Sequence, residues 1–381
     1  MKRFVFLVLT LFLLMTTVAW SESKDLKQTM KDVFITFSEL HPYLINIEEF
    51  QNEKNHDRIL KLIKSLDSSF HSAETVPSIY KDKPGFLAMM SMMDGAIEDS
   101  LDSFKQGEKK WAAWRLKAAS GTCVNCHSSF GVDVRYQHSD SYTNLSDYEK
   151  AEIHLISRQI QKAKDEFYNL ALKSAKNEDQ HYLMTEAARR LVVIYTRFDL
   201  NPVEASTRLK AIIQAGDLSE YATSIFNEWI KSFNSWSKEK DPKVVSFAKA
   251  EQLTKEAFSE NPLASDLGSV ELLRSSGILH QLFINQKLSK SEKPKALFLL
   301  GAIYSKLPLF IINEMPQFYL ELCINEFPGT EYAKKSYSLY QELVEFGYTG
   351  SSGEHLPAIV KQELKDLRDT AYGVKKFKSQ I

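Results

Sequence analysis

The sequence predicts an all-α protein in two parts: four helices over residues 22–140, followed by a longer helical array over 148–381. Apolar residues recur at the 3.6-residue helical period along most of the chain. Period-two alternation, the mark of half-buried strands, is scarce. A polar connector from Gln137 to Asp147 separates two stretches of helical pattern, and Ser146-x-x-Glu149 reads as a capping box opening the next helix.

The first element in chain order is a leader. Lys2-Arg3 precedes an unbroken apolar run from Phe4 to Leu14, and Ala19-Trp20-Ser21 places small residues for a cut after Ser21. Residues 1–21 are therefore expected to be a cleaved secretory signal, and the mature form is not expected to span a membrane. The rival is an uncleaved anchor, since Phe4 to Ser21 just reaches spanning length of roughly 18 residues. Secretion of this type points to the periplasm of a Gram-negative bacterium. The formal net charge of −1 excludes a general nucleic-acid binder, which needs a basic face. The three cysteines are too few for a disulfide framework in a chain of 381 residues.

Helix one carries Leu26, Met30, Val33, Phe34, Phe37 and Leu40 on one face, and His41-Pro42 is expected to end or bend it. Helix two is expected near Asp57–Phe70, with Ile59, Leu60, Ile63, Leu66 and Phe70 inward. Helix three follows Asp82-Lys83-Pro84 and carries Phe86, Met89, Met90, Met93, Ile97, Leu101 and Phe104. Gly107 interrupts the pattern. Helix four begins near Glu108 and reaches Cys123. Four amphipathic helices with short links fit a four-helix bundle.

The second part reads as about ten helices, among them Ala151–Ser174, His181–Phe198, Glu220–Ser237 and Pro242–Ser259. Pro, Asn, Asp and Gly mark many of the gaps. Leu297-x-x-Leu300-Gly301-x-x-Tyr304, with Cys323 and Pro328 further on, resembles a tetratricopeptide repeat carrying a three-residue insertion. The resemblance implies an α-solenoid of paired helices that docks a protein partner. Cys323 is expected to be a small buried residue in a helix seam. Gly347-Tyr-Thr-Gly350-Ser-Ser-Gly353 is expected to be a turn, since nothing around it matches a phosphate-binding loop.

The chemistry is concentrated in Cys123-Val124-Asn125-Cys126-His127, a C-x-x-C-H motif. Two thiols at this spacing add to the two vinyl groups of haem as thioethers, and the adjacent imidazole then serves as an axial iron ligand. A thioredoxin-like redox pair would need a preceding strand, and here a helix precedes. A zinc site would need a second ligand pair at finger-like spacing. One covalent haem c is thus expected, held by Cys123 and Cys126, with His127 on the iron.

With that motif near the end of a fourth helix, the region from Lys24 to Tyr136 resembles the cytochrome c-prime class and its four-helix relatives. Phe130 matches the aromatic that follows the motif in that class, while Gly131 stands at its arginine position and the nearest arginine is Arg135. Low-spin members place a methionine early in helix one in a Leu-x-x-x-Met context, which Leu26-Lys-Gln-Thr-Met30 matches. The resemblance implies Met30 as a candidate sixth ligand, with core or haem-wall packing as its alternative. Trp111 and Trp114 are expected to pack in the haem pocket or between helices. Arg115 and Lys117 are candidates for a haem propionate or for solvent.

These features together predict a periplasmic electron carrier, not a catalyst, with a docking array for a redox partner protein. Two alternatives stay open: a protein that binds or senses a gas such as NO or CO through an open distal site, and a helical scaffold with accessory haem.

Overall fold

A computed structural model describes residues 28–44, 46–71, 86–130, 145–259, 266–307, 315–350 and 353–374. The expected signal segment, Leu26 and most of the polar connector lie outside the described residues. The described residues are all-helical apart from turns and one short hairpin. It divides into two compact units, Met1–Cys126 with Val134–Glu149, and His127–Asp133 with Lys150–Ile381.

The first unit contains α1 (28–44), α2 (Ile47–Gln51), α3 (His56–His71), α4 (Phe86–Lys105) and most of α5 (Lys109–Phe130). Helices α1, α3, α4 and α5 share one apolar core. Val33, Phe37 and Leu40 meet Ile59, Ile63 and Leu66, then Ile97, Leu101, Leu116 and Ala119. These are the inward positions that the 3.6-residue period selects. Of the two outcomes expected at His41-Pro42, an end or a bend, the end does not occur: helix α1 runs on to residue 44. Leu40 and Leu44, one turn apart, are both buried in the core, and that burial outweighs the local preference of the residue before proline.

Gly107, with φ of +88°, makes the turn from α4 into α5. Lys109 fixes the start of α5: its Nζ donates to the Gln51 carbonyl at 3.2 Å and to Glu53 Oε1 at 2.6 Å. The same ammonium lies over the Phe104 ring, which meets Phe50 edge-on.

The Ser146 box forms as the sequence predicts. Ser146 N–H donates to Glu149 Oε2 at 2.9 Å, and Glu149 N–H donates back to Ser146 Oγ at 3.3 Å. It opens α6 (Asp147–Ile156). The single helix expected over 151–174 is in fact two, because the chain breaks at Ser157-Arg158-Gln159 before α7 (Ile160–Ser174). Arg158 has φ of +65°, a left-handed conformation that ends α6 without a glycine.

Beyond α7 follow α8 (His181–Ile194), α9 (Pro202–Ala215), α10 (Glu220–Ser237), α11 (Phe247–Ser259) and α12 (Ser269–Ile284). Then come α13 (Glu292–Ser305), α14 (Met315–Glu326), α15 (Glu331–Gly347) and α16 (Ala358–Ala371). Within the second unit, helices pack against the next in sequence, as in α7 with α8, α9 with α10, α11 with α12 and α13 with α14. Many also touch the next but one. The segment expected as a plain turn after α15 instead pairs Thr349–Gly350 with Gly353–Glu354 as a two-stranded antiparallel hairpin.

Two features show how the unit closes. Arg189 on α8 forks Asp266 at 3.0 and 2.9 Å, and the Asp266 carbonyl accepts from Trp229 Nε1 at 3.2 Å. The pair is buried, so each charge needs the other to remain inside. At Gly301 on α13, a Cβ would stand 2.6 Å from Leu320 Cγ on α14, so these helices approach at a distance only glycine permits.

Candidate functional site

Helix α5 carries the whole C-x-x-C-H motif and continues three residues past it. The core-facing row of the helix, Ala112, Leu116 and Ala119, leads to Cys123 at the next turn. Positions three and four apart fall on one side of a helix, so Cys126 and His127 stand at positions neighbouring Cys123. The segment is helical throughout.

Cys123 is partly buried against the core, and burial pushes its thiol up to about 11. A redox-active dithiol needs the opposite, a lowered thiol pKa in an electropositive, accessible setting. The environment of Cys123 therefore counts against thioredoxin-like exchange chemistry.

His127 is held differently. Burial, and secondarily the nearby Arg158 guanidinium, push its imidazole down to about 4. The ring is thus neutral, the form that binds a metal. Its Nδ1 is buried and has no hydrogen-bond partner among the described residues. A buried ring nitrogen left unpaired costs about 1–3 kcal/mol unless something takes it. A neutral imidazole, next to two cysteines at thioether spacing, is a donor set compatible with an iron-bearing haem.

Arg158 was not singled out by the sequence. Its Nη1 donates to the His127 carbonyl at 2.8 Å, and its guanidinium lies 5.5 Å from the centre of the Phe198 ring. Both partners belong to the second unit, which takes up the chain at His127. The left-handed break at Arg158 is therefore tied to the motif's last residue. No proline or glycine announces that break, so sequence pattern had nothing to detect.

Met30, the candidate sixth ligand, is partly buried on α1 and borders the same core as Cys123. Met89 and Met93 are buried on α4 and Met90 packs beside them, in keeping with core packing. For the two tryptophans, one of the two expected placements, that between helices, is not what the structure has. Trp111 and Trp114 are 48% and 51% exposed and stack on each other at 4.7 Å, so they do not pack between helices. Their row of α5 points away from the row that carries Leu116 and Ala119. Trp111 Nε1 donates to Asp99 at 3.2 Å, and Arg115 pairs with the same carboxylate at 2.8 Å. Arg115 is thus engaged on α4. His56, the first residue of α3, stacks on Phe104 at 5.1 Å.

Cys323 is fully buried, as expected. Its Sγ lies 3.2 Å from the Pro294 carbonyl, and burial raises its thiol to about 11. Among the described residues, no group of three or more His, Cys, Asp or Glu side chains is placed to hold a metal ion. No helix of those residues is long and apolar enough to cross a membrane. Compared with protein-family models, with curated proteins and with solved structures, the chain matches none.

Proposed function

We propose that the protein is an exported one-electron carrier whose haem is attached through Cys123 and Cys126, with His127 as axial ligand. The observation that carries this is the helical C-x-x-C-H motif ending in a buried, neutral imidazole with an unpartnered Nδ1. Covalently bound haem supplies a one-electron iron couple. The residues do the rest. Cys123 and Cys126 anchor, His127 ligates, and Arg158 holds the His127 carbonyl. The apolar core from Val33 to Ala119 keeps water from the attachment helix.

The shared core of α1, α3, α4 and α5 supports a four-helix bundle, the architecture that places a cofactor between facing helices. The next-and-next-but-one packing from α7 to α16, and the close approach at Gly301, support a tetratricopeptide-like solenoid. We assign that array to docking a redox partner in the periplasm. Lys2-Arg3 and the apolar run behind it support export.

Met30 is the proposed sixth ligand because it borders the core that Cys123 borders. The test is the visible spectrum of the reduced protein with and without CO. The expected result is a low-spin spectrum that CO leaves unchanged, converted to a high-spin, CO-responsive one by Met30→Ala. A wild-type spectrum already high-spin and CO-responsive would overturn the Met30 assignment and favour gas binding.

A further inference from the structure

The second unit contains a cleft remote in sequence from the motif. It lies where α8 ends, between the last turn of α10, the segment before α11, and α12. Helix α8 does not end normally: it passes into a π-helical turn, Tyr195–Asp199, and Leu200 follows with φ of +51°. π turns and left-handed non-glycine residues cost free energy and concentrate where a fold positions functional groups. Here the turn carries Thr196 and Arg197 into the cleft.

Arg197 lies against Gly277 of α12, whose missing Cβ would stand 3.5 Å from Arg197 Nη1. Its Nη2 donates to Ser276 Oγ at 2.7 Å. Its Nε is buried and has no hydrogen-bond partner, and no carboxylate among the described residues forms an ion pair with it. Arg197 is itself only partly buried, and the fully buried cations described in this unit are matched: Lys164 by Asp199 and Glu204, Arg189 by Asp266, Arg274 by Glu239. Arg274 also lines the cleft, but Glu239 forks it at 2.9 and 2.9 Å and its guanidinium stacks 4.1 Å above Trp236. It is a wall with its charge already answered. Lys243 stands exposed at the rim, its backbone N–H on the Asp241 carboxylate at 3.2 Å.

The rest of the lining is mostly apolar, Leu200, Pro242, Val244, Val245 and Ile278, with one further polar side chain, Gln281. The cleft offers about 80 Å³, roughly the room of half a dozen waters by the same measure. An inorganic anion would satisfy Arg197 and leave those walls uncovered. A neutral apolar molecule would cover the walls and leave a buried guanidinium nitrogen unanswered, which is the costlier mismatch.

We infer that this cleft binds a small organic carboxylate, its charge on Arg197 and its short apolar body between Pro242, Val244 and Ile278. The site is independent of the haem reading. The carboxylate can belong to a free organic acid or to the C-terminus of a peptide, and the two are distinguished experimentally.

The experiment is isothermal titration of the full-length protein at low salt with butyrate, 1-butanol, inorganic phosphate, and the tripeptide Ala-Ala-Val with a free or an amidated C-terminus. Saturable binding is expected for butyrate or for the free tripeptide, whichever binds more tightly naming the source, and none for 1-butanol or the amidated peptide. Arg197→Gln should weaken binding about tenfold or more, and Lys243→Glu, at the exposed rim, about threefold. Absence of carboxylate binding, phosphate binding in its place, equal binding of 1-butanol, or unchanged affinity in Arg197→Gln would overturn the proposal. If Arg197→Gln loses its helical circular dichroism, Lys243→Glu decides: weakened binding supports the site, unchanged affinity overturns it.

Discussion

His280 lies wholly inside the second unit, sharing a 2.5 Å hydrogen bond with the Tyr304 hydroxyl and meeting the Tyr319 ring edge-on. Burial, and then the Arg197 charge, hold its pKa well below the ordinary histidine value. The folded protein keeps the ring neutral while the unfolded chain protonates it near pH 6.5. Its contribution is therefore fully present above that pH and is lost as pH falls below it, by about 1.4 kcal/mol per pH unit. Urea unfolding between pH 6.5 and 5 should show this slope reduced by one proton's worth in His280→Gln. An unchanged slope would show that the ring titrates alike in both states. Nothing in the sequence marked His280, because burial in a long helix is a property of its neighbours. Cys123, Cys126 and His127 stood out in the sequence because thioether attachment of haem would need those residue types at that spacing. Arg158 was not, because a left-handed arginine has no composition signal.

Helices were legible where periodic burial and end signals agreed. The Ser146 box forms as read, and α10 occupies Glu220–Ser237 as the pattern placed it. The misses came where tertiary packing opposed a local rule. Pro42 does not stop α1, since Leu44 one turn beyond Leu40 is buried. No rule predicted the break between α6 and α7. Gly301 lies between these cases: the Leu-x-x-Leu-Gly-x-x-Tyr pattern singled it out, and the reason is visible only against Leu320. Gly301→Ala should destabilise the protein by about 1–3 kcal/mol through overpacking. Leu320→Ala should recover part of that loss in the double variant, giving a coupling of roughly 0.5–2 kcal/mol in a denaturation cycle. Strict additivity would mean that the two helices do not depend on this contact.

For the whole chain, the all-helical class and the presence of two units followed from periodicity and one polar connector. The position of the division did not. The sequence put the first part at 22–140, whereas the contacts divide the chain between Cys126 and His127 and again between Glu149 and Lys150. Helix α5 runs unbroken across the first of these points, so helical pattern alone gave no boundary there. Cys123 and Cys126 thus fall in the first unit, and His127 opens a segment of the second.

The central claim is covalent haem at Cys123 and Cys126. It is tested most directly by the intact mass of the protein exported from a host that matures c-type cytochromes, measured under denaturing conditions. The account predicts a mass increased by one haem, retained after acid–acetone extraction and lost in the Cys123→Ala, Cys126→Ala variant. A wild-type protein carrying no extra mass, or haem fully removed by that extraction, would contradict it.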